Sequence, residues 1–319
     1  MHKSVLLQET INGLQLKKGD LAIDATCGAG GHTKELAQRV GPKGRVLAID
    51  RDKNALDIAR SVFRGENVTY ALADFANISK IAKANGFFDV SAILADLGVS
   101  SMQLDDPARG FSLKSRGVLD MRMDTKSSEV TASDVVNHYE EEALANIFFK
   151  YGEEKYSRQV AKAIVDYRKE HRIEYTDQLA EVVRGVIRAK RARKIRNSKF
   201  NIRNSKIDPA TKIFQAIRIE VNQELKQLES ALPQMVDLLL PGGRLAIISF
   251  HSLEDRIVKD FFKKSSLDCL CPPDFPKCQC DHAKTLKVIT RKAIKPTVKE
   301  ISINPRSRSA KLRIAKKIN

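Results

Sequence analysis

The sequence predicts an α/β fold: a mainly parallel sheet interrupted by an all-helical insertion. Three observations carry that reading. Over the first hundred residues, short apolar runs alternate with helix-patterned stretches, as a parallel sheet with crossover helices requires. Strand patterning then stops, and residues from Ser133 to about Ile195 read as successive helices. It returns at Arg244-Leu-Ala-Ile-Ile-Ser-Phe250, just after Pro241-Gly242-Gly243. The chain of 319 residues is 42% hydrophobic and 30% charged, which suffices for a buried core and excludes overall disorder.

The elements follow in order. Leu21 to Asp24 is a strand pattern closed by an acid, followed by a glycine-rich turn and a helix over Thr33 to Val40. Arg45 to Asp50 is the second strand and Asn54 to Phe63 the second helix. Val68 to Leu72 is the third strand, and Asp89 to Asp96 the fourth, apolar at its centre and again ending in an acid. Turn residues and charge dominate Asp105 to Asp124. Ser133 suits a helix N-cap, and Glu140 to Tyr151 is amphipathic. Pro209 suits a first helical turn and opens a helix running to Leu240, with a break expected at Pro233. Lys190 to Ser205, biased toward Lys, Arg, Asn and Ser, reads as a loop. After the returning strand, Asp255 to Lys264 is helical and short strands close the chain. The expected organisation is one α/β domain made of residues 1–104 and 213–319, with 105–212 inserted as a helical domain.

Charge is distributed unevenly. The formal net charge is +17, yet Val182 to Ile207 holds ten Lys/Arg and no acid, and His282 to Asn319 holds twelve Lys/Arg and only Glu300. Those two segments account for the whole excess, the footprint of a polyanion, nucleic acid before an anionic membrane surface. Solvated faces would carry such charge too. The most apolar stretch, Met235 to Phe250, is broken by Asp237 and by Pro241-Gly242-Gly243, so it falls short of the roughly 20 apolar residues of a membrane span. No apolar signal segment follows the N-terminus, so a cytoplasmic protein is expected. The cysteine count is odd at five, which argues against a disulfide framework.

The turn Asp24-Ala-Thr-Cys-Gly28-Ala-Gly30-Gly31-His32 lies between the first strand and the first helix, where amide donors are free to meet a ligand. A dinucleotide fingerprint needs glycine at the first, third and sixth positions; here these are Gly28, Gly30 and Thr33. Asp50 ends the next strand, where a carboxylate meets a ribose diol. S-adenosylmethionine, with a ribose and no pyrophosphate, suits such a turn. Asp74-Phe75 and Asp96 follow the third and fourth strands: the acids suit an adenine amino group or a methionine ammonium, and Phe75 a stacked adenine. Each acid alone serves equally as a helix cap, but three at successive strand ends favour a site.

Motifs extend this reading along nearly the whole chain: His2-Lys-Ser-Val-Leu-Leu-Gln-Glu9, Asp24 to His32, Ala48-Ile-Asp50-Arg-Asp, Asp96-Leu-Gly-Val-Ser-Ser-Met-Gln103-Leu-Asp105, Arg109-Gly-Phe-Ser112, Leu119-Asp-Met-Arg-Met-Asp124, Gln215-Ala-Ile-Arg218, Ile248-Ser-Phe-His-Ser-Leu-Glu-Asp-Arg256 and Asn304-Pro-Arg-Ser-Arg-Ser309. With them the chain resembles the RsmH/MraW family of bacterial small-subunit ribosomal RNA methyltransferases, which transfer methyl from S-adenosylmethionine to cytosine N4. The resemblance implies a class I, Rossmann-like methyltransferase fold with an inserted helical domain. It implies cofactor contacts at Gly30, Gly31, His32, Asp50, Phe75, Asp96 and Gln103. It also implies a cytidine of the decoding region of small-subunit rRNA as substrate, with the rRNA or the small ribosomal subunit as partner. A homodimer stays open. The sequence departs from the family at Asp208, where His usually precedes Pro-Ala-Thr, and at Lys212, where Arg is common. No role of that His is carried over.

Methyl transfer from a sulfonium is an in-line displacement, and cytosine's amine is a poor nucleophile because its lone pair is delocalised. An acceptor at that amine favours the reactive form. Many amino-methyltransferases use Asp or Asn before Pro-Pro-Tyr; here the stretch is Asp96-Leu97-Gly98-Val99, so Asp96 is the candidate catalytic acceptor or serves the cofactor alone. His251, Glu254 and Asp255 are substrate-side candidates after the last central strand, although an anchored loop explains them nearly as well. Phe111 is a candidate stack for a flipped base, or a core residue. Arg306, Arg308, Lys311 and Arg313 alternate along an expected strand and suit phosphates. Cys269, Cys271, Cys278 and Cys280, with Pro272, Pro273 and Pro276 between them, are candidate zinc ligands; their C-x-C spacing is not the usual knuckle, and a metal-free reduced loop is the alternative. Cys27 reads as a small packed residue. A non-catalytic ribosome-binding or assembly factor is the competing function. An oxidoreductase is weakened by Thr33, and a DNA amino-methyltransferase by the absent Pro-Pro-Tyr.

Overall fold

The computed structural model describes residues 3–113, 115–125, 129–196, 208–272 and 277–319. The end of the basic stretch at 197–207, and Pro273 and Pro276, lie outside the described residues.

Two compact units form. The first comprises residues up to Gly98 and from Leu225 to Asn319; the second runs from Val99 to Glu224. The first holds a seven-stranded sheet: β1 (Leu21–Asp24), β2 (Arg45–Asp50), β3 (Val68–Leu72), β4 (Val90–Asp96), β5 (Leu239–Ser249), β6 (Leu286–Val288) and β7 (Lys311–Lys317), in the order β3-β2-β1-β4-β5-β7-β6. The first five strands are parallel, while β7 runs antiparallel between β5 and β6. The strand order reverses between β1 and β4, the switch point where open α/β sheets bind ligands outside their carboxyl ends. This is a Rossmann-like, doubly wound arrangement with one antiparallel strand near its edge.

Helices α1 (Leu7–Leu14), α2 (Gly31–Val40), α3 (Lys53–Val62) and α4 (Ile78–Ala84) alternate with the strands. Strands buried on both faces read as near-continuous apolar runs, and β4 is buried at Val90 and from Ala92 to Ala95. Ile23, Leu47, Ile93, Leu245 and Ile247 pack on one face of the sheet against Leu232 and Met235; Val46, Ala92, Leu94 and Ile248 pack on the other with Leu36 and Val40.

The second unit carries α5 (Ser101–Asp105), α6 (Ala132–His138), α7 (Glu141–Lys150), α8 (Ser157–Arg168), α9 (Thr176–Arg196) and α10 (Thr211–Asn222). Its own core is built from Leu119, Val135, Phe148, Ile164, Val183, Ile213 and Ile217. Because Ile213, Phe214 and Ile217 belong to that core, α10 stays with this unit, and residue 212 falls inside a helix rather than at a boundary.

Local expectations shift in three places. The cap of α6 is Thr131, whose hydroxyl accepts from the Asp134 amide, while Ser133 instead donates to the Ile173 carbonyl at 3.0 Å. The break expected at Pro233 occurs at Gln223, which adopts φ 51° between α10 and α11 (Glu224–Leu238); Pro233 sits within α11. And β5 begins at Leu239, through Pro241-Gly242-Gly243, with a register irregularity against β4 between Val90 and Ala92 that accommodates those turn residues.

Ile93 is fully buried in the central strand. Ile93→Ala should lower the unfolding free energy by about 2–5 kcal/mol, read as a reduced urea midpoint at unchanged slope.

Candidate cofactor site and the surfaces around it

The carboxyl ends of β1, β2 and β4 each present an aspartate. Asp24 is fully buried at the end of β1. Its Oδ2 accepts from the Thr33 hydroxyl at 2.7 Å and its Oδ1 from the Thr26 amide at 3.2 Å. Burial outweighs those bonds and pushes its carboxyl up to about 6. Thr33, in place of the fingerprint's third glycine, is therefore the residue that satisfies Asp24; the same hydroxyl lies 3.3 Å from the buried Cys27 sulfur. Burial, followed by the charge of Asp24, raises the Cys27 thiol, so it stays protonated and inert.

Asp50 draws the turn to β2. Its Oδ2 accepts from the Gly28 amide at 2.7 Å and its Oδ1 from the Asp52 amide at 2.9 Å, yet burial still raises its carboxyl. Gly30 caps α2 at φ 81°, and a Cβ there would lie 2.9 Å from Ala59 Cβ and 3.0 Å from Ala59 Cα. Glycine is required by both conformation and space. His32 is buried in the first turn of α2, its Nε2 donating to the Val5 carbonyl at 3.2 Å and its Nδ1 lying 3.6 Å from Asp96 Oδ2.

Asp96 differs from the other two. Its amide donates to the Thr26 hydroxyl at 2.6 Å, fixing the end of β4 to the turn. Its Oδ1, however, is buried and has no hydrogen-bond partner among the described residues. Burial, then the charges of Asp24 and Glu254, holds its carboxyl well above the usual range. An orphaned buried carboxylate oxygen is a polar demand that the chain leaves for a ligand. The residues present thus fit a ligand with amine and ribose donors: Asp96 offers an empty acceptor, and Asp50 a half-buried carboxylate beside the glycine turn.

Phe75 opens a 3₁₀ turn after β3, capped by Asp74, whose Oδ1 accepts from the Ala76 amide at 2.8 Å; its ring is partly buried against the sheet core. Arg51 Nη1 lies 3.6 Å from Asp74 Oδ2. Gln103 lies in the second unit, buried in a capping box with Ser100 at the start of α5.

Several substrate-side expectations change. Phe111 is only 7% exposed and belongs to the core of the second unit, with the Arg109 guanidinium 5.9 Å from its ring centroid. A buried ring has no open face for a base. His251 is the N-cap of α12 (Ser252–Ser265): its Nδ1 accepts from the Glu254 amide at 3.4 Å, and its Nε2 lies 3.1 Å from Glu254 Oε1. Glu254 Oε2 in return accepts from the Phe250 amide at 2.8 Å. Asp255 is engaged by β7, accepting from Arg313 Nε at 2.6 Å and Lys311 Nζ at 2.9 Å. Although burial opposes it, these bonds hold the Asp255 carboxyl below its usual range. Arg306 and Arg308 are exposed on a 3₁₀ turn, Pro305–Ser309, and the strand starts only at Lys311, so the expected alternation does not include them. Asp208 forms a forked pair with Arg184 at 2.7–3.2 Å and accepts from the Ala210 amide, anchoring α9 to the start of α10.

The fold is Rossmann-like, with an aspartate at the carboxyl end of β1, β2 and β4. A model of the MraW methylase family matches residues 1–318. The ribosomal RNA small subunit methyltransferase H of Carboxydothermus hydrogenoformans is 47% identical over 320 residues, covering 100% of this chain and 98% of the relative. Its counterpart from Desulforapulum autotrophicum is 46% identical over 316 residues, covering 98% of each chain. The chain belongs to the MraW methylase family.

Asp24 titrates at about 6 in the fold against 3.8 in an unfolded chain. The folded state binds the extra proton, so this group costs stability as pH rises through that window. Relative to Asp24→Asn, the wild-type unfolding free energy should fall by on the order of 3 kcal/mol between about pH 4 and pH 7, measured by denaturant titration at each pH.

Proposed function

We propose that the chain methylates the exocyclic N4 amine of a cytidine in the decoding region of small-subunit rRNA. The observation that carries the reading is the buried, unpartnered Oδ1 of Asp96 at the switch point of a family-matched methylase sheet. The curated relatives, named for small-subunit rRNA methylation, supply the substrate class. The exposed Arg306 and Arg308 of the basic C-terminal segment, and separately the exposed Arg188 of α9, supply positive charge of the kind that phosphates demand.

When bound, S-adenosylmethionine supplies an electrophilic methyl on a cationic sulfur. The chain's own residues then have distinct tasks. Gly30, Gly31 and His32 offer the N-terminal amides of α2, and Asp50 accepts from the ribose diol. Phe75 flanks the adenine. Burial disfavours the charged form of Asp96 in the empty site, and a cation placed beside it would favour the carboxylate, which would then accept from an amine, either the cofactor's ammonium or the cytosine N4. Placing the nucleophile in line is the larger share of the work.

Small subunits lacking the modification should accept labelled methyl from S-adenosylmethionine and yield N4-methylcytidine on nucleoside analysis. Asp50→Ala should weaken cofactor binding about 10- to 100-fold, the loss of one or two hydrogen bonds to a charged acceptor. Cofactor binding without transfer to subunits or rRNA would leave a binding factor in place of the enzyme.

Because burial raises the Asp96 carboxyl and a bound cation would lower it, cofactor binding should be accompanied by proton release and tighten as pH rises. Calorimetry in buffers of different ionisation enthalpy measures that release. Asp96→Asn should abolish the Asp96 share of it.

A further inference from the structure

The segment from Ser266 to Thr285 joins α12 to β6, the edge strand of the sheet, and none of its described residues is buried. Leu267 and Leu270 are 40% and 44% exposed. Its two ends are fixed: the Thr285 amide donates to the Ser265 carbonyl at 3.0 Å, and His282 Nε2 lies 3.1 Å from the Lys264 carbonyl oxygen. A connection of this length without a core of its own is uncommon unless something else supplies cohesion.

Four sulfurs converge in it. The Sγ atoms of Cys269, Cys271, Cys278 and Cys280 all lie within 4.8 Å of one another. Cys269 is 3.3 Å from Cys278 and 3.7 Å from Cys280, and Cys278 is 3.6 Å from Cys280. A disulfide pairs each sulfur with one partner at about 2.05 Å; here Cys269, Cys278 and Cys280 each have two sulfur neighbours at much longer range. Four thiolates around a zinc ion at about 2.3 Å stand about 3.8 Å apart, close to the spacing seen.

The backbone reinforces the arrangement. Each C-x-C arm lends the amide of its middle residue to the last cysteine of the other arm: Leu270 N donates to Cys280 Sγ and Gln279 N to Cys271 Sγ, both at 3.3 Å. Cys271 N also donates to Cys269 Sγ at 3.3 Å. Such N–H···S bonds stabilise thiolate charge and orient metal ligands. The short C-x-C spacing, unusual for a zinc knuckle, thus folds into two arms that clasp each other reciprocally.

We propose that Cys269, Cys271, Cys278 and Cys280 form a closed, structural zinc site that holds the α12–β6 connection against the edge of the sheet. All four positions are filled by thiolates, so the ion has no open position for a substrate, and the site stands apart from methyl transfer. Its role is cohesion where apolar burial is lacking.

The full chain, purified under reducing conditions and gel-filtered with chelator, should carry one zinc per chain by elemental analysis. X-ray absorption at the zinc edge should show four sulfur neighbours at about 2.3 Å. Titration with a mercurial should release the zinc as four thiols react. Replacing Cys278 and Cys280 together by Ser should lower zinc content at least tenfold and speed amide exchange in β6, with the core strands unchanged. The proposal is overturned if the wild-type chain holds under about a tenth of an equivalent of zinc, binds iron instead, or carries two disulfides among these cysteines. These wild-type measurements decide the matter even if the double variant does not fold.

Discussion

The desolvation of aspartates at the switch point is the constraint on which the rest of the first unit depends. Asp24 and Asp96 end the two strands where the sheet order reverses, and Asp50 ends the neighbouring strand. Charges so placed repel each other and lose water, so the chain must supply donors or leave them protonated. Nearly every feature of the glycine turn answers that demand. Gly28 and Asp52 donate to Asp50, Thr26 and Thr33 to Asp24, and Thr26 in turn ties down the Asp96 backbone. Gly30 lets the turn press against Ala59 of α3, which brings α2 to the site.

Much of this framework was legible in the chain. Strands β1, β2 and β4 were marked by apolar runs ending in an acid, and the helices between the strands by the change of period, because both faces of those parallel strands are buried. The row of strand-end acids was legible for the same reason: an acid after an apolar run has nowhere to go except the sheet edge. Thr33 was not, since a fingerprint read by its glycines registers a threonine only as a deviation. Its value lies in a hydrogen bond to Asp24, nine residues earlier, that no local pattern encodes.

Polar motifs also serve the fold. His251, Glu254 and Asp255 look like an acid–base cluster in sequence, yet the first two close a capping box on α12 and the third pairs with Arg313 and Lys311 of β7. Helix caps and active sites draw on the same residue types, so spacing alone does not separate them. Phe111 shows the converse. In a loop of Arg and Gly it reads either as a stack for a base or as a core residue, and the backbone of that loop is packed: a Cβ on Gly110 would meet the Val118 carbonyl oxygen, and the Phe111 ring is buried with Leu119 and Met121.

What distinguishes Asp96 from these structural carboxylates is what remains unsatisfied. Asp24 and Asp50 receive donors on both oxygens, and Asp255 is enclosed by two cations. Asp96 keeps Oδ1 buried without a partner, a cost that selection for stability alone would remove by a neutral residue. Buried polar groups left unpaired are rare, and they collect where a ligand completes them. The cost is recovered when a cationic or amine donor enters: the carboxylate then gains both a hydrogen bond and a counter-charge in a site already stripped of water. An empty acceptor held by a rigid strand end needs no rearrangement to receive its donor, and that pre-organisation is the physical basis for the difference between an aspartate that holds the sheet together and one that works at its edge.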